Sequence, residues 1–321
     1  MDKNSKITGI DISKSSFDAY SETEGHQKFE NTPSGFKKLL KKYGTDTHYV
    51  MESTGCYHLL LALYLSGEGV LVSVENPLKI KRYIQMQLMK VKTDKADARM
   101  ICRYGMSQEL KLWKAPDALH REGESLFSLL QFYKKQRTSL KNKLHREKAL
   151  GIPSISVEKS LKSVLQTYNK TISGLEKELE KLVNTLYREE LALLRSIPGI
   201  GPKTSILLVM LTDGMRNFES SGQLCSYAGL TPVIRESGKS VRSRPRISKM
   251  GNGTLRRHLF MCAFNAMKYN SGCKSIYDRL TGKGKSGKVG LIAVCNKLLK
   301  QSFGILKSRK PYCENFSSIS A

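Results

Sequence analysis

Four carboxylates occupy positions from which they can serve a metal-dependent phosphoryl transfer. Asp11 lies near the end of the apolar segment KITGID, and Glu52 ends the apolar segment HYVME. Asp94 and Asp97 are three residues apart, so on a helix they share one face. If all four lie at one site, a divalent cation relieves their repulsion, and oxygen ligands favour Mg²⁺ or Mn²⁺ over zinc. Two such ions about 4 Å apart stabilise the attacking and leaving oxygens of a phosphoryl transfer.

Each acid taken alone also has a structural explanation. Asp11 can be a turn residue, Glu52 a surface acid and Asp97 the partner of an arginine. Asp94 can be a first-turn acid that the helix dipole favours. The occurrence of all four at strand ends and at a helix start favours a common site.

The elements around these acids alternate between strand and helix. Strands are predicted at the segment that holds Asp11, at DAYS after it, at the segment that ends on Glu52, and at the apolar run 69–74. A helical pattern follows Glu52, and Thr93 is a typical cap for a helix that begins at Asp94. This order predicts an α/β layer with parallel pairing at its centre, in which carboxyl ends of strands face the functional crevice.

The most basic stretch, residues 235–249, holds six Lys or Arg and a single acid. It also contains Ser237, Ser240 and Ser243. A serine is a poor nucleophile until a base or metal removes its proton, and nearby cations stabilise a phosphoryl-transfer transition state. Residue types alone do not select one serine, and each has a structural alternative. The basic residues expected to contact phosphate here and in the following helix are Lys239, Arg242, Arg244, Arg246, Lys249, Arg256 and Arg257.

A glycine-rich turn, IPGIGPK, ends at Lys203 and precedes an apolar helical run. Such a turn presents free backbone N–H groups of Gly199, Gly201 and Lys203 to a phosphate. It looks like the hairpin of helix-hairpin-helix DNA binders, which grip the backbone without reading bases. An ordinary helix-entry turn is the alternative.

Apolar residues repeat in alternating steps of four and three from Leu161 to Leu186, which is typical of a coiled-coil seam. A break at Gly151-Ile-Pro153 separates this helix from a second long helix before it. The seam can close within one chain as a helical hairpin or between chains as a dimer contact. An intersubunit role is favoured over a purely structural spacer.

Positive charge is concentrated toward the carboxyl end. The 321 residues have a net charge of +26, of which segments 1–115, 116–190 and 191–321 carry +5, +4 and +17. We expect these segments to be a catalytic domain, a coiled-coil arm and a second, mainly helical domain. The charge indicates a nucleic-acid partner, and a solvated surface or anionic lipid is the alternative.

Composition excludes several classes of protein. No apolar run approaches the roughly 18 residues of a membrane span, and the first residues lack a signal-peptide pattern. Seven cysteines without a Cys-x-x-Cys pair argue against a disulfide framework or zinc finger. We therefore expect a cytoplasmic, nucleoid-associated protein with no membrane partner.

The motifs together resemble those of one family, the DEDD transposases of the insertion-sequence group that includes the Piv pilin-gene invertase. The resemblance is carried in order by GID at Asp11, ESTG at Glu52, KTDKADAR at Asp94 and Asp97, SIPGIGPKTS, AGLTP, ESGKSVR at Ser237, ISKMG and LRR. It spans nearly the whole chain. The helical middle segment is similar in pattern more than in residues.

The resemblance implies a RuvC-type, ribonuclease H-like domain in which the four acids bind Mg²⁺, for which Mn²⁺ can substitute. It implies that Ser237 attacks a DNA phosphate and holds the strand covalently. It further implies a coiled-coil dimerisation arm, dimers that assemble to tetramers, and an element-encoded bridge RNA that guides recombination of donor and target DNA.

The sequence thus favours a recombinase that moves its own insertion element. One alternative is a RuvC-type junction-resolving nuclease, in which water attacks and no covalent intermediate forms. The other is a nucleic-acid binding protein without catalytic activity, against which the intact acidic quartet argues.

Overall fold

The structure is a computed structural model that describes residues 6–53, 55–88, 93–151, 154–233, 236–237, 241–242 and 246–314, with backbone only for 236–237 and 241–242. The chain divides into two compact units, Met1–Pro116 and Asp117–Ala321. Each unit has its own core.

The first unit is built on a five-stranded mixed sheet. Its strands are β1 (Lys6–Ile12), β2 (Ser16–Ser21), β3 (Gly25–Glu30), β4 (Thr47–Glu52) and β5 (Val72–Glu75). Their order across the sheet is β3-β2-β1-β4-β5. The pairs β1–β2 and β2–β3 are antiparallel, whereas β4 runs parallel to β1 and to β5. The predicted parallel centre is therefore present.

Helices cover both faces of this sheet. They are α1 (Pro33–Tyr43), α2 (Leu59–Gly67), α3 (Pro77–Met86) and α4 (Asp94–Ser107). Phe36 of α1 and Leu61 of α2 share one apolar cluster with Ile10 of β1. Ile80 of α3 and Cys102 of α4 pack in another cluster, with Ile7 and Val50. Because strand side chains alternate between faces, the odd-numbered residues of β1 face α4.

The helix α4 lies unusually close to β1. A Cβ atom at Gly9 would be 2.7 Å from Cys102 Cα and closer still to the Cys102 nitrogen and the Ala98 oxygen. A Cβ at Gly105, later in α4, would be 2.8 Å from a methyl carbon of Ile7. The two glycines therefore allow backbone-to-backbone packing that fixes where α4 begins relative to the sheet.

The second unit begins with two helices of 32 residues each, α5 (Ala118–Ala149) and α6 (Ile155–Leu186). Their cross-helix contacts run antiparallel: Lys148 pairs with Glu158 at 3.8 Å, and Lys134 pairs with Glu176 at 2.7 Å. Leu165, Ile172 and Leu179 of the predicted seam are buried, and Leu186 is partly buried. The seam thus closes within the chain as a helical hairpin. Residues 152 and 153 of the predicted break lie outside the described residues.

Among the described residues of this unit, six further helices follow: α7 (Arg188–Arg195), α8 (Pro202–Thr212), α9 (Ser221–Tyr227), α10 (Gly253–Tyr269), α11 (Ser271–Gly282) and α12 (Gly287–Ser308). They share one apolar core with the base of the hairpin. In the described part of the chain, α12 alone is long and apolar enough to cross a membrane, and half of that window is buried inside the unit. Core helices of soluble proteins have the same features.

A buried polar network ties the base of the hairpin to α8. The Tyr187 hydroxyl donates to Asp213 at 2.7 Å and lies 2.6 Å from His120 Nδ1. Because the hydroxyl proton is used on Asp213, His120 Nδ1 is the donor in the second bond. The acidic side chain of Glu124 beside the imidazole raises the pKa of His120.

The variant Tyr187→Phe is expected to destabilise the second unit by about 1–3 kcal/mol, because it leaves a buried imidazole N–H without its acceptor. Urea unfolding of the full chain measures this loss. Tyr269→Phe is the control, since Tyr269 is 72% exposed and its loss should cost little. Equal midpoints for the two variants would contradict the expectation.

Four two-residue strands lie between α9 and α10: β6 (Pro232–Val233), β7 (Glu236–Ser237), β8 (Val241–Arg242) and β9 (Arg246–Ile247). The outer pair β6–β9 and the inner pair β7–β8 are both antiparallel. We refer to these two strand pairs as the β-ribbon. No strand was predicted here from the sequence.

Candidate active site

The central parallel strands bring Asp11 and Glu52 side by side. Ile10 is the cross-strand partner of Met51, so the residues that follow them are neighbours at the carboxyl ends of β1 and β4. Asp11 lies on the face of the sheet that α4 covers, as does Glu52, two residues after Val50. This is the crevice edge that the strand order predicts.

The start of α4 supplies the other two acids. The Thr93 hydroxyl caps the helix by accepting a hydrogen bond from the Ala96 nitrogen at 3.2 Å, as the sequence predicts. Asp94 and Asp97 fall in the first turn, where the helix dipole favours negative charge. The close packing of α4 at Gly9 holds this turn near the end of β1.

The electrostatics of Asp11 show that the four acids converge. Its pKa is raised to about 7, first by burial and then by the negative charges of Asp97, Glu52 and Asp94, in that order of effect. Carboxylates influence one another this strongly only when they are close and poorly screened. Acids that are up to 86 positions apart in the sequence therefore interact electrostatically at one place in the fold.

A fifth carboxylate, Asp18, adjoins this site and was missed by the sequence analysis. It is the cross-strand partner of Asp11 and is only 6% exposed. His26 Nε2 lies 2.7 Å from one of its oxygens, and Lys28 Nζ lies 3.8 Å from the other. The register of the β1–β2 hairpin was the signal that would have revealed it.

The acidic cluster, defined as Asp11, Glu52, Asp94 and Asp97, has donors that suit a divalent cation. All are carboxylate oxygens, and burial together with the other three acids makes the ionised state of Asp11 unfavourable until a positive charge is added. Within the described residues, however, no three His, Cys, Asp or Glu side chains already surround a common point. The cluster fits a metal by its chemistry and charge, although its oxygens are not in a ligand arrangement.

The β-ribbon places the backbone of Ser237 in the inner pair of strands. Ser237 is the cross-strand partner of Val241, and Glu236 is the partner of Arg242. The side chains of Ser237 and Arg242 lie outside what the structure describes, as do Lys239 and Arg244 entirely. Among the remaining expected phosphate contacts, Arg246, Lys249 and Arg257 are exposed.

Other expected phosphate contacts have partners within the fold. The Arg256 guanidinium donates to the Ala228 carbonyl at 2.8 Å and lies against Gly229, so it fixes the turn that leads to the β-ribbon. Lys203 forms an ion pair with Glu176 at 3.2 Å.

The predicted glycine-rich turn joins α7 to α8, and Gly201 is the N-cap residue of α8. A Cβ at Gly199 would lie 2.7 Å from the Ala266 side chain, and its φ of +104° suits glycine alone. Gly199 thus packs the turn onto α10. Gly201 is exposed, and nothing in the structure would contact a Cβ there.

Models of known protein families match both the amino-terminal and the carboxyl-terminal part of the chain. A transposase family model with the acidic DEDD domain of IS110 elements matches residues 8–147, and the model of the IS116/IS110/IS902 transposase family matches residues 191–278. The DEDD domain has a RuvC-like fold, which agrees with the mixed sheet and the helices on its two faces. The fold predicted for the amino-terminal domain is confirmed.

Several whole proteins are similar as well. A pilin gene-inverting protein of Moraxella lacunata is 33% identical over 320 residues, which cover 95% of this chain and 96% of that protein. The corresponding protein of Moraxella bovis is also 33% identical, over 318 residues. A transposase for insertion sequence element IS1328 of Yersinia enterocolitica is 27% identical over 305 residues, or 84% of this chain and 87% of that protein. The chain therefore belongs to the IS116/IS110/IS902 family of DEDD transposases, enzymes of DNA recombination and transposition.

Proposed function

We propose that this protein cuts and rejoins donor and target DNA by Mg²⁺-assisted transesterification, with Ser237 as the nucleophile. The observation that carries the proposal is the convergence of Glu52, Asp94 and Asp97 on the half-buried Asp11. Acids gathered in this way are costly to the fold and are typical of functional sites. The family relatives support the class of reaction.

The acidic cluster would hold the metal, with Mn²⁺ able to replace Mg²⁺. A bound divalent cation supplies positive charge for the attacking and leaving oxygens of a phosphoryl transfer. The protein's contribution is to place the acids: β1 and β4 position Asp11 and Glu52, and the capped start of α4 positions the other two.

Ser237 would form a bond from its Oγ to a DNA phosphorus atom and displace a sugar oxygen, which takes up a proton. Reversal of this exchange on a second strand rejoins the DNA without an external energy source. The β-ribbon and its surroundings supply cations to neutralise phosphate, among which Arg246, Lys249 and Arg257 are exposed.

A bridge RNA would select the sites. The segment 191–321 carries most of the net charge, which suits phosphate contacts that position a strand without reading bases. A protein that delegates base reading to RNA needs shape and backbone contacts rather than a sequence-reading helix.

The segments 1–115 and 191–321 would be the RuvC-like and transposase domains. The segment 116–190 between them would act as the arm through which dimers and tetramers assemble. Apolar side chains that the hairpin leaves exposed support this role: Leu129, Phe132, Leu150 and Ile155 are between 39% and 84% exposed.

The covalent step is tested with end-labelled element DNA and the element's own RNA. The wild-type protein should form a protein–DNA adduct that survives denaturation, and Ser237→Ala should form none. Ser240→Ala is the matched control and should retain the adduct. Strand cleavage by Ser237→Ala at the wild-type rate would instead support the junction-resolving nuclease, in which water attacks.

A further inference from the structure

A cavity of about 410 Å³ lies in the second unit, between the start of α11, one face of α12 and residues 310–314. Its size falls within the roughly 300–1,000 Å³ of small-ligand sites, which is enough for one nucleotide. None of its lining residues belongs to the acidic cluster or to the β-ribbon.

The cavity is lined by three lysines: Lys297, Lys300 and Lys310. In the part of the chain that the structure describes, none of them forms an ion pair. The neighbouring Arg309 behaves differently, because it pairs with Glu190 at 3.0 Å and fastens the end of α12 to α7. Glu314 is the one acid among the described lining residues, so the cavity is positively charged.

The helix α11 adds further positive potential. Its first turn, which contains Ser271 and Gly272, lines the cavity and has no acidic residue. Lys297 Cε lies 3.5 Å from the position of a Cβ on Gly272, so the lysine extends over the positive end of the helix dipole. A cation at that end is unfavourable unless an anion lies between them.

The floor of the cavity is rigid. Asn270 is fully buried, and its side-chain amide exchanges two hydrogen bonds with Gln301, at 3.0 and 3.2 Å. The Tyr312 hydroxyl donates to the same Asn270 oxygen at 3.2 Å, and the Tyr312 nitrogen donates to Ser196 Oγ at 2.8 Å. The segments that form the floor of the cavity are therefore tied together by a network that also reaches Ser196, just before the glycine-rich turn.

We propose that this cavity binds a nucleotide of a single nucleic-acid strand, with its phosphate held by Lys297, Lys300 and the start of α11. The apolar side of the cavity, formed by Ile305, Pro311 and the Tyr312 ring, contacts the sugar and base. The proposal goes beyond the chemistry at Ser237 and adds a second place where the protein grips a strand.

The first test compares two double variants of the full chain. Lys297→Gln with Lys300→Gln removes the cavity charges, whereas Lys288→Gln with Lys307→Gln removes two exposed charges from the same helix outside the cavity. Fluorescence anisotropy with labelled 20-nucleotide RNA and DNA strands gives affinities at 50 and 200 mM salt. Thermal melting establishes that both variants are folded.

The cavity variant should bind about tenfold more weakly at low salt, and its salt slope should fall by about 0.7, because one phosphate contact is lost. The control variant should change much less. Loss on both strands indicates recognition of phosphate, and loss on RNA alone indicates that RNA is the occupant. Equal affinities for the two variants on both strands would overturn the proposal.

Cys313 provides a second test, because it is exposed and lines the cavity. A saturating strand should slow its alkylation several-fold in the wild-type protein, as measured by peptide mass spectrometry, and should not do so in the Lys297→Gln, Lys300→Gln variant. Unchanged alkylation of Cys313 in the wild-type protein would contradict the proposal. In Ser237→Ala, a saturating strand should protect Cys313 from alkylation as fully as in the wild-type protein. A failure of the serine chemistry would therefore leave this protection intact, whereas a failure of the cavity proposal would remove it.

Discussion

Asp11→Asn is expected to abolish recombination and, in metal-free protein, to raise the melting temperature of the first unit. The amide keeps the shape of the side chain and removes a charge that burial and three nearby carboxylates make unfavourable. Burial and the neighbouring acids raise the pKa of Asp11 from 3.8 to about 7. Asp11→Asn should therefore increase the free energy of unfolding at pH 8 by about 2–4 kcal/mol. Loss of function with a gain of stability is typical of a site that is strained for its task.

The pH dependence of the stability of the first unit follows from the same raised pKa of Asp11. Between pH 3.8 and about 7 the folded state binds more protons at Asp11 than the unfolded state does. The stability of the metal-free wild type should therefore fall as pH rises through this window, and the Asp11→Asn variant should lose that contribution.

Differential scanning calorimetry with and without Mg²⁺ measures both effects. The metal should raise the melting temperature of the wild type, but not that of Asp11→Asn. Asp46→Asn is the matched control, since Asp46 is an exposed acid paired with Lys6 at 2.7 Å. Recombination by Asp11→Asn at the wild-type rate would contradict the metal mechanism.

Gly9→Ala is expected to cost about 3 kcal/mol, because the new methyl group meets backbone atoms of Cys102 and Ala98 that have no freedom to rotate away. To make room, α4 must move from β1. Asp94 and Asp97 move with it, so recombination and the Mg²⁺-dependent rise in melting temperature should both be lost.

Chemical unfolding and the Mg²⁺ shift are measured on this variant at a temperature where it remains folded. Gly67→Ala is the control, since Gly67 ends α2 and has open space around it. A Gly9→Ala protein with wild-type stability and activity would show that the approach of α4 does not position the acids.

The sequence predicted the elements that carry the four acids well because their signals are local. Apolar runs that end on an acid predicted β1 and β4, and the Thr93 cap predicted the start of α4. The strand β3 was missed because GHQKFE is mostly polar, as suits an exposed strand at the edge of a sheet. The helices α1 and α3 were also missed, although Pro33 and Pro77 stand at their first positions.

Features that depend on long-range contacts had no local signal. The approach of α4 to Gly9, the bond between Tyr187 and His120, and the Glu176 partner of Lys203 join residues from distant parts of the chain. Arg256 illustrates the same limit. Its place in a basic stretch predicts phosphate contact, and only the fold reveals the Ala228 carbonyl beside it.

The β-ribbon has an evolutionary consequence. Its strands are two residues long, and Ile247 at its base is the part that packs against the core of the second unit. Pro232 and Val233 on the partner strand are exposed, so substitutions there remove little buried apolar contact and should be nearly free of folding cost. Relatives can therefore diversify the strand β6 while their helical scaffolds stay the same.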